Sequence, residues 1–295
     1  SQQQEPIVFR PEQADAIEKT IARFKRGNQM LWNAKMRFGK TLSALEVVRE
    51  MELQRTLILT HRPVVDEGWF EDFHKIFFDL PTYHYGSRTK GESFATLERL
   101  ARKGDSYVYF ASMQDLRGAE MVGGKFDKNV DIFKAKWDML IIDEAHEGTK
   151  TEIGTSVIDT LVKPHTKVLR LSGTPFNLLD DYKEEEIFTW DYVMEQRAKC
   201  EWDLTHMGDP NPYESLPAIH IYTYDLGSLM GTDYDDDEKA FNFREFFRTH
   251  DDGTFCHDKD VERFLNLMCT EGNLYPYSTD EFRRMFRHTL WMLPG

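Results

Sequence analysis

The chain has little cysteine, no long apolar run and no excess of positive charge. Only three of its 295 residues are cysteines, which is too few for a disulfide scaffold and fits a reducing cytoplasm. No apolar run approaches the roughly 18 residues that a membrane span needs. The first residues also lack the basic-then-apolar pattern of a signal peptide. We therefore expect a cytoplasmic protein with no membrane partner.

The net charge of −14 is unevenly distributed. Residues 176–262 hold 23 acidic and 7 basic side chains, which leaves the rest of the chain nearly neutral. Bulk negative charge repels a polyanion, so any contact with nucleic acid has to come from local groups in the near-neutral part. The acidic run 233–238 is typical of a solvated loop, whereas the phenylalanines between 241 and 255 predict a packed segment.

A Gly-Lys-Thr turn lies between an apolar run and a helical pattern. The turn is Gly39-Lys40-Thr41, with the apolar run 30–32 before it and the helical pattern 42–51 after it. In this strand–turn–helix context, backbone N–H groups at the helix start can surround a phosphate. Lys40 is expected to reach the β- and γ-phosphates of ATP, and the Thr41 hydroxyl is expected to bind Mg²⁺.

The turn departs from the full phosphate-loop pattern at two positions. Ala34 stands where that pattern has glycine, and Arg37 stands where many such loops carry another glycine. Arg37 and Phe38 are nevertheless within the segment predicted to contact the nucleotide. Taken alone, the turn also fits an ordinary strand-to-helix connection with exposed lysines.

A second polar cluster follows another apolar run. The run 139–142 leads directly into Asp143-Glu144-Ala145-His146. Asp143 can hold Mg²⁺, and Glu144 can orient and polarise an attacking water. The two clusters together predict a site of ATP hydrolysis in which Lys40, Asp143 and Glu144 are the catalytic residues.

Continuous apolar runs alternate with helical patterns up to about residue 175. This alternation is typical of a mostly parallel sheet that helices cover on both faces, an α/β fold. In such sheets, ligands bind beyond the carboxyl ends of the strands. Five polar clusters occupy those ends: Gly39-Lys40-Thr41, Thr60-His61-Arg62, Ser112-Met113-Gln114, Asp143 to His146 and Ser172-Gly173-Thr174. After residue 175 the alternation stops, and the pattern over 183–199 predicts a helix.

These motifs resemble the first RecA-like domain of superfamily 2 helicases and translocases of the Asp-Glu-Ala-His (DEAH box) type. The chain is most similar to the helicase parts of bacterial restriction-type systems, and the resemblance covers about residues 7–200. It implies a RecA-like P-loop NTPase fold, ATP and Mg²⁺ as cofactors, and a DNA helicase or translocase activity. DNA is favoured over RNA, and an attached nuclease or methyltransferase is an expected partner.

The resemblance also implies roles for individual residues. Arg10 and Gln13 match an element that contacts adenine, and His146, Ser172 and Thr174 match positions that couple nucleotide state to movement. The residues expected to contact nucleic acid are Thr60, His61, Arg62, Ser112 and Gln114. Plainer interpretations exist, in which Gln13 is a surface helix residue, His61 and Arg62 end a strand, and Ser172 and Thr174 form a turn. In the same way, His146 could be a core histidine with its hydrogen bonds satisfied.

Superfamily 2 motors have two RecA-like domains, and the resemblance places only the first in this chain. We expect residues 1–200 to form that domain, 201–288 an acidic accessory or connecting segment, and 289–295 the start of a second RecA-like domain. Alone, the chain is expected to hydrolyse ATP poorly and not to unwind duplexes, because arginines of the second domain assist phosphoryl transfer. The alternatives are a nucleotide-switched binding module and a small-molecule phosphotransferase.

The cysteines and neighbouring histidines do not predict a zinc site. Cys200, Cys256 and Cys269 are far apart, and with His206 and His257 they lack the paired Cys-x₂₋₄-Cys spacing of structural zinc sites. We expect ordinary buried cysteines instead.

Overall fold

The computed structural model describes residues 5–61, 63–145, 152–219 and 241–269, with the single residues 221, 234, 280, 284, 288, 290 and 292. The predicted roles of Arg62 and His146, and most of segments 233–238 and 289–295, lie outside these residues. The chain divides into two compact units, Ser1–Leu216 and Pro217–Gly295. Among the described residues, no helix is both long enough and apolar enough to cross a bilayer.

Among the described residues of the first unit, seven strands form one sheet. They are β1 (Gln29–Ala34), β2 (Arg55–Thr60), β3 (Tyr83–Gly86), β4 (Ser106–Ser112), β5 (Met139–Asp143), β6 (Lys167–Ser172) and β7 (Ile187–Trp190). Their order across the sheet is β3-β4-β2-β5-β6-β1-β7, and every neighbouring pair is parallel. The predicted α/β fold with a parallel sheet is confirmed.

Helices cover both faces of this sheet. They are α1 (Pro11–Phe24), α2 (Lys40–Glu50), α3 (Asp66–Ile76), α4 (Phe94–Ala101), α5 (Met113–Arg117), α6 (Val130–Lys134), α7 (Glu152–Leu161) and α8 (Tyr192–Thr205). Successive side chains of a strand point to opposite faces, so the neighbours Leu31 and Trp32 of β1 enter different cores. Trp32 and Trp69 belong to the core under α1, α2 and α3, and Trp137 belongs to the core under α4 to α7.

The helix predicted over residues 183–199 is wrong in its first part. Residues Ile187–Trp190 form β7, and the helix begins only at Tyr192, where the Asp191 side chain caps it by accepting a 2.9 Å hydrogen bond from the Met194 backbone N–H. Ile-Phe-Thr-Trp is β-branched and aromatic, which suits a strand. The open edge of β1 supplies the parallel partners for this strand, and that pairing decides the outcome.

The first unit extends past residue 200, the predicted end of the first domain. α8 continues through that residue, and Tyr213, which is buried, donates a 2.6 Å hydrogen bond to Glu12 Oε2 in α1. Burial raises the pKa of Tyr213, and so does its hydrogen bond to Glu12. The contact ties the end of this unit to its first helix.

Cys200 corrects the prediction of buried cysteines. It is exposed on α8, and Cys256 in the second unit is half-buried. α8 buries Glu195, and a residue five positions later points about 140° away around the helix. Cys200 therefore faces solvent because α8 packs through one narrow face at the edge of the sheet. Nothing is described for the Cys269 side chain.

The second unit contains a small aromatic core of its own. Its described helices are α9 (Phe243–Phe246) and α10 (Asp258–Cys269). Phe246 is buried with Tyr234 and Val261, while Phe243 is 43 % exposed. The aromatic residues of this segment therefore pack, as their number predicts, although not all of them are buried.

Glu46 in α2 makes stability depend on pH. Burial, and then the charge of Glu50 one turn later, raise its pKa to about 7. A carboxyl group whose pKa is higher in the folded protein than in the unfolded chain does not change stability while it is protonated in both. As the pH rises from about 4.5 to 7, the group lowers the free energy of unfolding progressively. We expect Glu46→Gln to raise the free energy of unfolding by about 1 kcal/mol at pH 8, after allowance for the half-exposed side chain.

The same substitution should have little effect at pH 4.5, because the native carboxyl is then protonated. Chemical denaturation at the two pH values measures the difference. Glu18→Gln, at an exposed position of α1, is the matched control and should change neither value. An equal gain at both pH values would show that ionisation of Glu46 is not responsible.

Candidate functional site

The parallel sheet brings the predicted polar clusters to one edge. Thr60 is opposite both Ser112 and Asp143 in the strand register, and Asn33 is opposite Ser172. The carboxyl ends of β1, β2, β4, β5 and β6 therefore form a row. The clusters that follow these strands share the edge at which parallel sheets bind ligands.

The Gly-Lys-Thr turn begins α2 and requires glycine for two reasons. Gly39 has a φ of 83°, in the left-handed region that side chains disfavour. A Cβ atom at this position would also lie 2.5 Å from the Gln13 Nε2 atom. The absence of a side chain lets α1 approach the loop closely, and Lys40 is then the first residue of α2.

Arg10 and Gln13 hold the loop by its carbonyl groups. Gln13 Nε2 and Arg10 Nη2 each donate a 2.8 Å hydrogen bond to the Phe38 carbonyl. Arg10 Nη2 also donates to the Arg37 carbonyl at 3.1 Å. The predicted adenine-contacting residues are thus placed against the phosphate loop, and both are engaged with its backbone.

Arg37 and Phe38 have different environments. The Arg37 side chain is exposed, and its backbone has a φ of 69°. The Phe38 ring is completely buried and packs against Trp32 and Phe188, with ring centroids 6.1 and 5.7 Å away. Phe38 can therefore offer a nucleotide only its backbone, whereas Arg37 can offer a cation.

Lys40 is a largely buried cation without a carboxylate in direct contact among the described residues. Its Nζ donates hydrogen bonds to the carbonyls of Ala34 at 2.7 Å and Lys35 at 3.3 Å. Burial lowers its pKa, while the charges of Glu144 and Asp143 act in the opposite direction. A buried ammonium group is costly unless it meets an anion, so this position favours a bound phosphate.

Asp143 and Glu144 end β5 in a tight turn. Asp143 is 8 % exposed, and burial raises its pKa. Its Oδ1 accepts a 3.0 Å hydrogen bond from the Glu144 backbone N–H. Glu144 has a φ of 51°, which is uncommon for a residue other than glycine. The Ala145 N–H is bonded to the Leu171 carbonyl of β6 at 3.0 Å, which keeps the turn against the sheet.

Two residues of α3 contact the predicted metal ligands, and the sequence did not predict either of them. Trp69 Nε1 donates a 3.2 Å hydrogen bond to Asp143 Oδ2, and the Thr41 hydroxyl donates a 2.5 Å bond to Asp72 Oδ2. Trp69 and Asp72 are three positions apart and so share one face of the helix. A buried tryptophan needs a hydrogen-bond partner for its N–H group. The sequence could therefore indicate that Trp69 has a partner, but not that the partner is Asp143.

Thr41 and Asp143 carry oxygen atoms of the kind that Mg²⁺ binds. Mg²⁺ prefers oxygen ligands, and in phosphoryl-transfer sites it is held by one or two carboxylates together with phosphates and waters. Asp143 supplies a carboxylate with a raised pKa, which a divalent cation would lower again. The described residues contain no group of three or more His, Cys, Asp or Glu that could hold a metal by itself.

The segment after β6 supports the loop that leads into Gly39-Lys40-Thr41. The Lys35 N–H donates to the Trp190 carbonyl of β7 at 3.0 Å. Lys35 Nζ forms a 2.7 Å ion pair with Glu195 of α8, whose side chain is 1 % exposed. β7 and α8 therefore position the loop, and the sequence pattern did not indicate this role.

Ser172 and Thr174 are joined by a local hydrogen bond. The Thr174 N–H donates to Ser172 Oγ at 3.1 Å. Ser172 is buried and Thr174 is exposed. This contact forms the turn of the plainer interpretation, and the exposed Thr174 hydroxyl also stands at the edge where the nucleotide is expected.

The residues predicted to contact nucleic acid differ in accessibility. Thr60 is buried, and His61 has a buried Nδ1 atom with no hydrogen-bond partner among the described residues. Ser112 caps α5 by accepting a 3.1 Å bond from the Asp115 N–H, and Gln114 is exposed. Of these four, Gln114 is thus the most available to a ligand.

A protein-family profile matches more than half of the chain. It describes the type III restriction enzyme, res subunit, and it matches residues 6–177. A curated relative from Mycoplasma pneumoniae, a putative type II restriction enzyme and methyltransferase (RM.MpnORF110P C-terminus), is 24% identical over 338 residues. That alignment covers 95% of this chain and 45% of the relative, so the chain spans less than half of the relative's length.

Three solved structures are similar to the chain at low identity. The SWI2/SNF2 ATPase core of Sulfolobus solfataricus in complex with dsDNA is 18% identical with a TM-score of 0.45, over 63% of this chain and 36% of that one. The UvsW helicase of bacteriophage T4 is 18% identical with a TM-score of 0.43, over 62% and 61%. A nuclease-deletion mutant of the type ISP restriction-modification enzyme LlaGI, with a DNA substrate mimic, is 15% identical with a TM-score of 0.45, over 69% and 23%.

Proposed function

Because the chain belongs to the type III restriction enzyme res subunit family, we propose that it is the ATP-binding domain of an ATP-dependent DNA helicase or translocase. In this proposal, ATP hydrolysis drives movement on DNA, and a second RecA-like domain completes the nucleotide site. An attached nuclease or methyltransferase would use that movement. The geometry around Lys40 supports ATP hydrolysis as the activity.

The observation that carries the proposal is the convergence of three groups. Lys40 follows a left-handed glycine at the start of α2, and the charges of Glu144 and Asp143 act on it from the end of β5. A phosphate-binding lysine, a metal-binding carboxylate and a water-orienting carboxylate are the parts that hydrolysis of a phosphoanhydride needs.

Each residue has a proposed role. Lys40 Nζ exchanges the carbonyls of Ala34 and Lys35 for oxygens of the β- and γ-phosphates. Thr41 and Asp143 would hold Mg²⁺, and the ion would supply positive charge to neutralise the phosphates. Glu144 orients the attacking water and accepts its proton. Arg10 and Gln13 hold the loop in place for the nucleotide.

Coupling and nucleic-acid contact complete the proposal. Ser172, Thr174 and His146 would relay nucleotide state to the second domain. Contacts from the ends of β2 and β4, with Gln114 the most exposed of the described candidates, would grip a strand by its backbone. Because such contacts carry no base identity, they suit an enzyme that moves along DNA of any sequence.

Glu144→Gln in the complete natural protein tests the proposal. We expect DNA-stimulated ATP hydrolysis to fall by about 10²–10⁴, the range for loss of a general base. ATP binding should persist, because glutamine keeps the size and polarity of the side chain. The measurements are steady-state hydrolysis with and without DNA, equilibrium binding of ATP, and displacement of a triplex-forming strand as a signal of movement.

Movement decides between the proposed motor and a nucleotide-switched module. A motor loses hydrolysis and movement together, whereas a switch keeps its DNA-dependent function when hydrolysis stops. Glu18→Gln, exposed on α1, is the control and should leave both measurements unchanged. If DNA fails to stimulate hydrolysis in the unmodified protein, the phosphotransferase alternative replaces the motor.

A further inference from the structure

A cavity opens at the same edge of the sheet, well away from the Gly-Lys-Thr turn. Its volume is about 670 Å³ and its lining includes the end of β4, the loop after β3 and the loop that follows α5. Four strand spacings separate β4 from β1 in the sheet order, which places the cavity roughly 20 Å from the phosphate loop. Its volume is within the range of small-molecule and nucleotide sites.

The cavity has an aromatic side that a rigid backbone presents. Phe126 lines it and is 61 % exposed. Its backbone is fixed by hydrogen bonds, from its own N–H to the Gly118 carbonyl at 3.0 Å and from the Glu120 N–H to its carbonyl at 2.8 Å. Ala119 and Val122 anchor the same loop in the core. An exposed ring on an ordered loop loses little conformational entropy when a flat ligand stacks on it.

Two cations stand at the same cavity. Arg88 Nη1 and Lys128 Nζ both contact Oδ1 of Asp115, at 2.7 and 2.9 Å. Two cations that share one carboxylate oxygen lie side by side, and with Asp115 and Asp66, the two carboxylates of the lining, their charges sum to zero. Lys128 Nζ also lies 5.5 Å from the centre of the Phe126 ring, so the positive charge and the aromatic face are adjacent.

The loop that carries Arg88 is held by a buried carboxylate. Asp66, at the start of α3, accepts hydrogen bonds from the Tyr85 hydroxyl at 2.5 Å, the Ser87 hydroxyl at 2.5 Å and the Thr89 hydroxyl at 2.9 Å. These bonds fix the backbone on both sides of Arg88 while the Arg88 side chain stays exposed. The cationic side of the cavity is therefore preorganised.

We propose that this cavity binds one unpaired base of a single-stranded nucleic acid, stacked on Phe126, with the adjoining phosphate on Arg88 and Lys128. The inference rests on the proposed function, in which the protein contacts only the nucleic-acid backbone, and it adds a contact to one base. Aromatic rings beside cations are the usual combination in single-strand sites. Ser112 and Gln114, which also line the cavity, supply hydrogen-bonding groups for the base edge. A base inside a duplex stack cannot reach a pocket of this kind.

Phe126→Ala tests the inference through strands that differ only in their bases. The probes are a fluorescent oligothymidylate and an abasic strand of equal length, with oligouridylate as the RNA counterpart, all measured by fluorescence anisotropy in the complete protein. We expect the substitution to weaken binding of the base-bearing strand about 5- to 100-fold, the effect of one lost stacking contact. Binding of the abasic strand should not change, because its phosphates still meet Arg88 and Lys128.

Two further variants guard against a merely structural effect. Phe126→Trp keeps an aromatic face and should restore base-dependent binding. Phe78→Ala removes an exposed phenylalanine beyond the far end of α3 and should change neither affinity. A quenched signal from 2-aminopurine in the bound strand, lost in Phe126→Ala, would support stacking directly.

The outcomes separate this inference from the proposed function. If the unmodified protein binds single strands but Phe126→Ala affects base-bearing and abasic strands equally, the base pocket is refuted and the motor is untouched. If the unmodified protein binds neither the DNA nor the RNA strand, the base pocket is refuted, and the motor is judged separately by its hydrolysis and strand-displacement measurements. Base-dependent loss with either the DNA or the RNA strand supports the pocket and identifies its ligand.

Discussion

Lys40→Ala is expected to lower the rate of ATP hydrolysis by about 10²–10³, the cost of removing one electrostatic contact to a reacting group. Lys40 Nζ is now held by two backbone carbonyls inside a largely buried site. Its cationic form is disfavoured there by burial, and a phosphate would satisfy it better than carbonyls do. Alanine removes the largely buried cation at the start of α2, so ATP affinity should fall as well.

The measurement is kcat and KM for ATP in the complete protein at saturating DNA. Because burial of the Lys40 cation opposes folding, its loss should leave the protein folded, which circular dichroism can verify. Lys19→Ala on α1, where the lysine is exposed and pairs with Asp15, is the matched control. Hydrolysis at the unmodified rate in Lys40→Ala would place the nucleotide elsewhere.

Trp69→Phe is expected to raise the Mg²⁺ concentration that gives half-maximal hydrolysis by about 10–100-fold. This is the usual effect of losing a group that orients a metal ligand. Phenylalanine keeps most of the packing of α3 but has no N–H group to donate to Asp143 Oδ2. Asp143 is almost fully buried, so few other donors can replace the lost hydrogen bond. The carboxylate should then be less well oriented for the ion.

A Mg²⁺ titration of the ATPase at fixed ATP gives the midpoint that this prediction concerns. Trp137→Phe is the matched control, because Trp137 is equally buried in the opposite core and donates to the Ile132 carbonyl at 2.8 Å. Both variants lose one tryptophan N–H and some stability, but only Trp69→Phe should move the midpoint. Identical midpoints in the two variants would reduce Trp69 to a packing residue.

The fold and most of the candidate site could be predicted because each depends on local pattern. Buried parallel strands read as continuous apolar runs, and the polar clusters at their ends stand directly after those runs in the chain. The order of strands in the sheet was not needed, since every parallel strand brings its carboxyl end to the same edge. This is why Gly39, Lys40, Asp143 and Glu144 could be proposed together from residues far apart in sequence.

Failures of prediction came from contacts between distant segments. Residues 187–190 were assigned to a helix from the sequence pattern. They form a strand because they pair with the open edge of β1, which lies far away in the chain. Two of these contacts join positions more than 150 residues apart. They are the ion pair of Lys35 with Glu195 and the hydrogen bond from Tyr213 to Glu12. No periodicity within a segment encodes such pairs.

The sequence by itself determined the class of fold and the chemical groups of the candidate nucleotide site, because strand runs, turn glycines and helix starts are local properties. Only the tertiary structure decided how those groups are held. It placed Trp69 and Asp72 against Asp143 and Thr41, and it set Phe126 beside Lys128 at a separate cavity. These arrangements depend on how helices and loops pack against a shared sheet, which the spacing of residues along the chain does not specify.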